Sequence, residues 1–124
     1  MLYSPLAGGF LTGKATLGDR AGTRFESGNK MGGAHSNWYD KPVMHEAVIK
    51  LQEAIKPMGL TPPEVAMRWL VYHSALSRGD GVIVGGSKLE QIEGNLRDVG
   101  KGPLPESIVK VVEEAWELVK DEAP

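Results

Sequence analysis

Cysteine is absent from the 124 residues of this chain. A disulfide framework is thereby excluded, as is any zinc or iron–sulfur centre held by thiolates. No apolar run approaches the roughly 20 residues of a membrane span. The opening Met1-Leu2-Tyr3-Ser4-Pro5 lacks the charged and apolar regions of a signal peptide. Charge of one sign is also missing: 14 basic against 16 acidic residues leave a net of −2. That field is too weak to point to nucleic acid or an anionic membrane surface. The expectation is a soluble, cytoplasmic chain of one domain at most, with a modest core.

What the chain holds in excess is glycine, 16 of 124 residues, nearly twice the average of roughly 7%. Eleven of these fall in two zones, Gly8 to Gly33 and Gly81 to Gly86. Clustered glycine marks loops that need positive φ, or backbone that approaches something closely.

The periodicity predicts β–loop–α–α–β–α–α. Met1 to Ala7 reads as a buried strand running into Gly8-Gly9. Residues 10–40 show no sustained period, and a loop of that length is usually functional or disordered. Residues 40–57 read as a helix capped by Asp40, with Met44, Ala47, Val48, Leu51 and Ile55 on one face. Thr61-Pro62-Pro63-Glu64 has the spacing of a capping box and opens the next helix. Gly79-Asp80-Gly81 ends it.

Val82-Ile83-Val84 is a continuous β-branched run, as in strands buried on both faces of a parallel sheet. Ser87-Lys88-Leu89-Glu90 has a second capping-box spacing, so a helix is expected to begin at Ser87. Pro105 opens a last helix whose outer face, with six acidic residues, reads as solvated surface. Strands alternating with helices indicate a parallel α/β arrangement. Two strands of double-faced apolar character cannot cover each other, so the chain reads as part of a larger sheet or barrel.

Two glycine loops carry the chemistry. Val82-Ile83-Val84-Gly85-Gly86-Ser87 delivers a strand to a glycine pair and a helix N-terminus, a ready anion site. A plain βα turn is the alternative reading of the same residues. The second loop, Gly8-Gly9-Phe10-Leu11-Thr12-Gly13-Lys14, has the glycine–lysine spacing of a P-loop, but Ala15 stands where that motif needs Ser or Thr. A nucleoside triphosphatase is rejected on that ground. In (β/α)₈ barrels the phosphate site is often built from two successive loops of this kind, after strands 7 and 8. The three histidines, His35, His45 and His73, lack metal-ligand spacing and read as surface or packing residues. Trp38 and Tyr39 read as loop anchors, with substrate contact as the alternative.

Residues Tyr3 to Lys14 resemble the strand-7 pyrophosphate loop of the aldo-keto reductases. Gly85-Gly86-Ser87-Lys88-Leu89-Glu90-Gln91-Ile92-Glu93-Gly94-Asn95-Leu96 resembles their strand-8 adenosine-phosphate motif. Pro62, Glu64, Ala66 and Trp69, and the turn Gly102-Pro103-Leu104, are also similar. The resemblance is closest to the aflatoxin-aldehyde-reductase branch and covers essentially the whole chain.

It implies an α/β fold: the C-terminal portion, from about strand 7 to the final helices, of a (β/α)₈ TIM barrel. Residues 1–124 would then be part of an NADP-dependent oxidoreductase domain that reduces carbonyl substrates, aldehydes and ketones, by hydride transfer. By matching motif positions, Ser4, Pro5, Leu6, Ala7, Gly8 and Lys14 would line the nicotinamide-ribose and pyrophosphate of NADP(H). Arg24 would reach the adenosine phosphate. Gly85, Ser87, Lys88, Gln91 and Asn95 would hold the 2′-phosphate and adenine. Gly94 departs from the Glu or Gln common in relatives. The Asp, Tyr, Lys and His of the family's catalytic set lie on its first four strands, so no catalytic residue is assigned here. Exposed barrel edges at Leu2–Leu6 and Val82–Val84 would favour self-association. A non-catalytic cofactor-binding or interaction module is the alternative.

Overall fold

A computed structural model of the chain describes residues 1–30 and 32–124. Among the described residues there are five α-helices: α1 (Gly32–Tyr39), α2 (Pro42–Ile55), α3 (Pro62–Tyr72), α4 (Leu89–Val99) and α5 (Glu106–Val119). A 3-10 turn spans Ala7–Thr12, and another, Lys56–Met58, follows α2.

The expected strands do not form as strands. Among the described residues the extended structure is one isolated parallel bridge, Leu2 to Val82. Leu2 N–H donates to Gly81 O at 2.8 Å, and Ile83 N–H donates to Leu2 O at 2.9 Å. The reason is physical. The two runs pair at a single position and, among the described residues, find no second neighbour to extend a ladder, and Ile83 stays 53% exposed. The double-faced apolar character of Val82–Val84 is present without the sheet that would cover it.

Two apolar clusters hold the helices. In the first, Phe10, Ala15, Phe25, Met44 and Val48 are buried together. Phe10 meets Phe25 edge-on at 5.4 Å, a favoured aromatic geometry. In the second, Leu51 and Ile55 of α2 meet Val65 of α3, Leu104, and Ile108 of α5. The five apolar residues assigned to one face of α2 are the five that are buried.

Helix ends were less regular than expected. Thr61 caps α3 as its spacing implies, its hydroxyl accepting from Glu64 N–H at 3.3 Å. The reciprocal half of that box is missing, because the Glu64 carboxylate is taken elsewhere. It accepts from Arg68 at 2.7 Å and from Lys101 at 2.9 Å. Arg68 also donates to the carbonyls of Gly102 and Pro103. A buried carboxylate persists only when paired in this way, and the network fastens the 100–104 turn to α3. His73 completes it by accepting from Leu104 N–H at 2.9 Å, a packing role as expected. Helix α3 ends at Tyr72, well before Gly79.

Asp40 does not cap α2. Lys41 holds that position in extended backbone, with Pro42 next. Asp40 instead receives a bidentate pair from Arg20 at 2.6 and 2.9 Å. Such a fork is stronger than one carboxylate-to-amide bond. Helix α4 begins at Leu89, two residues later than expected. Ser87 N–H and Oγ both donate to Gln91 Oε1, at 3.0 and 3.2 Å, so the glutamine rather than the serine supplies the accepting oxygen.

Candidate anion-binding loops

The Leu2–Val82 bridge is parallel. The chain therefore leaves both partners at the same end, at Tyr3-Ser4 and at Val84-Gly85. Both glycine loops follow the bridge from that end.

The first loop is strained. Ser4 and Ala7, neither of them glycine, have φ of 55° and 51°. Gly8 follows at 65° and Gly9 at 98°. Each left-handed non-glycine residue costs about 1–2 kcal/mol. Such outliers persist where the surroundings over-determine them, often at ligand clamps. Here the surroundings are visible. Ala7 N–H bonds to Ser4 O and Gly9 N–H to Leu6 O. Thr12 Oγ1 donates to Gly9 O at 2.7 Å. Phe10 is 2% exposed and pins the turn from below.

Lys14 leaves the turn exposed to solvent. The following segment, 15–30, is a chain of turns latched to α2. Besides Arg20, Asp40 bonds to His45 Nε2 at 2.7 Å, and His45 Nδ1 lies 2.9 Å from Thr16 Oγ1. The Arg20 guanidinium holds the Asp40 carboxyl down at about 2, against a smaller opposing effect of burial and with further help from His45.

Arg24 ends this latched segment. Its Nη1 is 3.0 Å from His35 Nε2. Helix α1 was not foreseen, since 32–39 reads as a polar loop. The signal was the spacing of His35, Trp38 and Tyr39 at i, i+3 and i+4, one helix face. His35 tilts against Trp38 at 5.6 Å and Tyr39 at 6.4 Å. Tyr39 stacks on Phe10 at 6.1 Å. Burial, and then the neighbouring Tyr3, pushes the Tyr39 phenol up. Tyr39 is thus an anchor, while Trp38 is 43% exposed.

The second loop is open. Gly85, Gly86, Ser87 and Lys88 are all exposed, and Lys88 occupies the N-cap of α4 with no side-chain cap bond. Gln91 is exposed and Asn95, one turn on, is buried at 7%. Of two open clefts of about 440 Å³ each, one is lined by residues remote from this loop, and the other in part by Val84 and Leu96, which adjoin Gly85 and Asn95 in the chain. Among the described residues no group of three or more His, Cys, Asp or Glu converges on a metal position. No helix among them is long and apolar enough to cross a membrane.

The structure thus joins Gly8 to Arg24 through His35, and Ser87 to Gln91. A family model described as the aldo/keto reductase family matches residues 1–117. The chain belongs to that family. It is 40% identical to an aldo-keto reductase of Pseudocercospora fijiensis over 95% of this chain and 41% of that protein. It is 39% identical to aflatoxin B1 aldehyde reductase member 2 of Rattus norvegicus, over 98% of this chain and 36% of that protein. An oxidoreductase of Leptosphaeria maculans, sirO, is 36% identical over 98% of this chain and 38% of its own length. The chain spans about two-fifths of the length of these relatives. Membership implies a (β/α)₈ barrel and oxidoreductase chemistry for the family. Among the described residues of this chain, the Leu2–Val82 bridge is the extended pairing present.

Proposed function

We propose that this chain is the C-terminal, NADP(H)-binding portion of an aldo-keto reductase that reduces aldehydes or ketones to alcohols. The observation that supports the reading is the parallel Leu2–Val82 bridge, from the same end of which the chain runs on to a strained left-handed turn and to a glycine pair and helix N-terminus. The donor set suits a phosphorylated dinucleotide. Arg24, Lys14 and Lys88 are exposed cations, and the N-terminus of α4 favours negative charge.

In this proposal Ser4, Pro5, Leu6, Ala7, Gly8 and Lys14 lie along the ribose and pyrophosphate. Arg24, Gly85, Ser87 and Lys88 hold the adenosine phosphate. Gln91 faces the adenine, with the buried Asn95 behind it in the same helical row. The bound nicotinamide would supply the hydride. The chain's own residues bind and orient; they supply neither the proton nor the carbonyl pocket. The exposed Ile83 edge would pair with further strands, of this protein or of a second copy.

Lys88→Ala tests the reading directly. A charge-assisted contact is worth about 1.5–3 kcal/mol, so NADPH affinity should fall about tenfold or more while NADH affinity holds. Fluorescence titration measures both. Equal losses for the two cofactors would remove Lys88 from the 2′-phosphate.

A further inference from the structure

We infer that His35 is a positioning residue for Arg24, and that α1 works as a clasp holding that guanidinium beside the Gly8 turn. The inference rests on the cofactor reading above and deepens it.

Arg24 is exposed. An exposed arginine carries rotamer entropy, which a bound anion must overcome unless something else has already ordered the side chain. Here α1 orders it at two points. At the main chain, Gly32 opens α1 against the Arg24 carbonyl, so closely that a Cβ at Gly32 would overlap that oxygen. At the side chain, His35 Nε2 lies 3.0 Å from Arg24 Nη1. A guanidinium has only donors to offer, so Nε2 accepts and the ring proton sits on Nδ1.

The imidazole is itself fixed. One side lies flat enough on the first loop that a Cβ at Gly8 would overlap Cδ2, with Nε2 at 2.7 Å. The other side meets Trp38 and Tyr39. Tyr39 in turn rests on buried Phe10. A line of contacts therefore runs from the core, through two rings, to a cation beside the left-handed turn. The ring contacts fix the plane of the imidazole, and Nε2 is the atom it turns to Arg24. The acceptor makes sense as a hold on Arg24.

Two substitutions separate packing from positioning. His35→Phe keeps the ring and removes the acceptor. His35→Gln keeps an acceptor and loses the ring. Titration of the chain with NADPH and NADH should show His35→Phe weakening NADPH about fivefold or more with NADH unchanged. His35→Gln should recover most of that loss, and His35→Phe should add nothing on top of Arg24→Ala. Equal losses for both cofactors, additive losses with Arg24→Ala, or no loss would overturn the inference.

A second readout needs no cofactor. The guanidinium nitrogens of Arg24, followed by NMR, should show hindered rotation in the wild-type chain and in His35→Gln, and free rotation in His35→Phe. Free rotation in the wild type would overturn the clasp. Hindered rotation in a chain that does not prefer NADPH to NADH would overturn the cofactor reading and leave the clasp standing.

Discussion

The two glycine loops look alike in sequence and are held in opposite ways. Ser4–Gly13 is buried underneath by Phe10, bonded within itself, and clasped by α1 from above. Gly85–Lys88 is exposed throughout, tied to α4 by Ser87 on the Gln91 side chain and by Gln91 N–H on Lys88 O. The first loop can carry left-handed alanine and serine because the surrounding contacts outweigh the cost. The second carries no positive φ at all, and needs none. The first loop is thus preorganised and the second accessible.

Breaking the support of the first loop should have the largest effect. Phe10→Ala opens a cavity beneath the turn and should cost about 3–5 kcal/mol in denaturant unfolding. A cost below 1 kcal/mol would mean that the turn holds its shape without the core. Next in size is a matched pair of glycine substitutions. Gly8→Ala meets both a φ of 65° and the His35 ring, and should cost about 1–3 kcal/mol. Gly85→Ala meets nothing within 4 Å and should change stability by at most about 0.5 kcal/mol. Equal effects would erase the contrast between the loops.

A modest effect is expected at the Asp40 latch. Its carboxyl titrates near 2 in the folded chain, against about 3.9 when unfolded. A depressed carboxyl stabilises the fold above the unfolded value, and that contribution is lost as pH falls through the folded one. Stability should thus drop between about pH 4 and pH 2, and Asp40→Asn should flatten that limb. The pair is partly exposed, so the loss at neutral pH should be about 1 kcal/mol or less. An unchanged acid limb in Asp40→Asn would show that other carboxylates carry it.

Much of this was legible where the cause is local. The apolar face of α2, the Thr61 cap and the last helix after Pro105 all follow from residues within a few positions of one another. What could not be read depends on partners far along the chain. Asp40 looks like a cap until Arg20, twenty residues earlier, takes both its oxygens. Helix α1 has two glycines at its start; it exists because Tyr39 and His35 find Phe10 and Gly8. Glu64 looks like half of a capping box until Arg68 and Lys101 claim it. The strand character of Val82–Val84 was visible, but a strand is a relation between segments, and one bridge is what this chain offers.

That bridge also bears on the order of events in folding. Leu2 and Val82 stand eighty positions apart, and closing so long a span costs about 4 kcal/mol of chain entropy. Two hydrogen bonds return about 1 kcal/mol each. The contact therefore cannot nucleate anything. It forms after α2, α3 and α5 have shortened the span, among the last events on the way to the native state. The two glycine loops spend early folding as strangers, and a ligand that touches both would act as the late cross-link that keeps the ends of the span together.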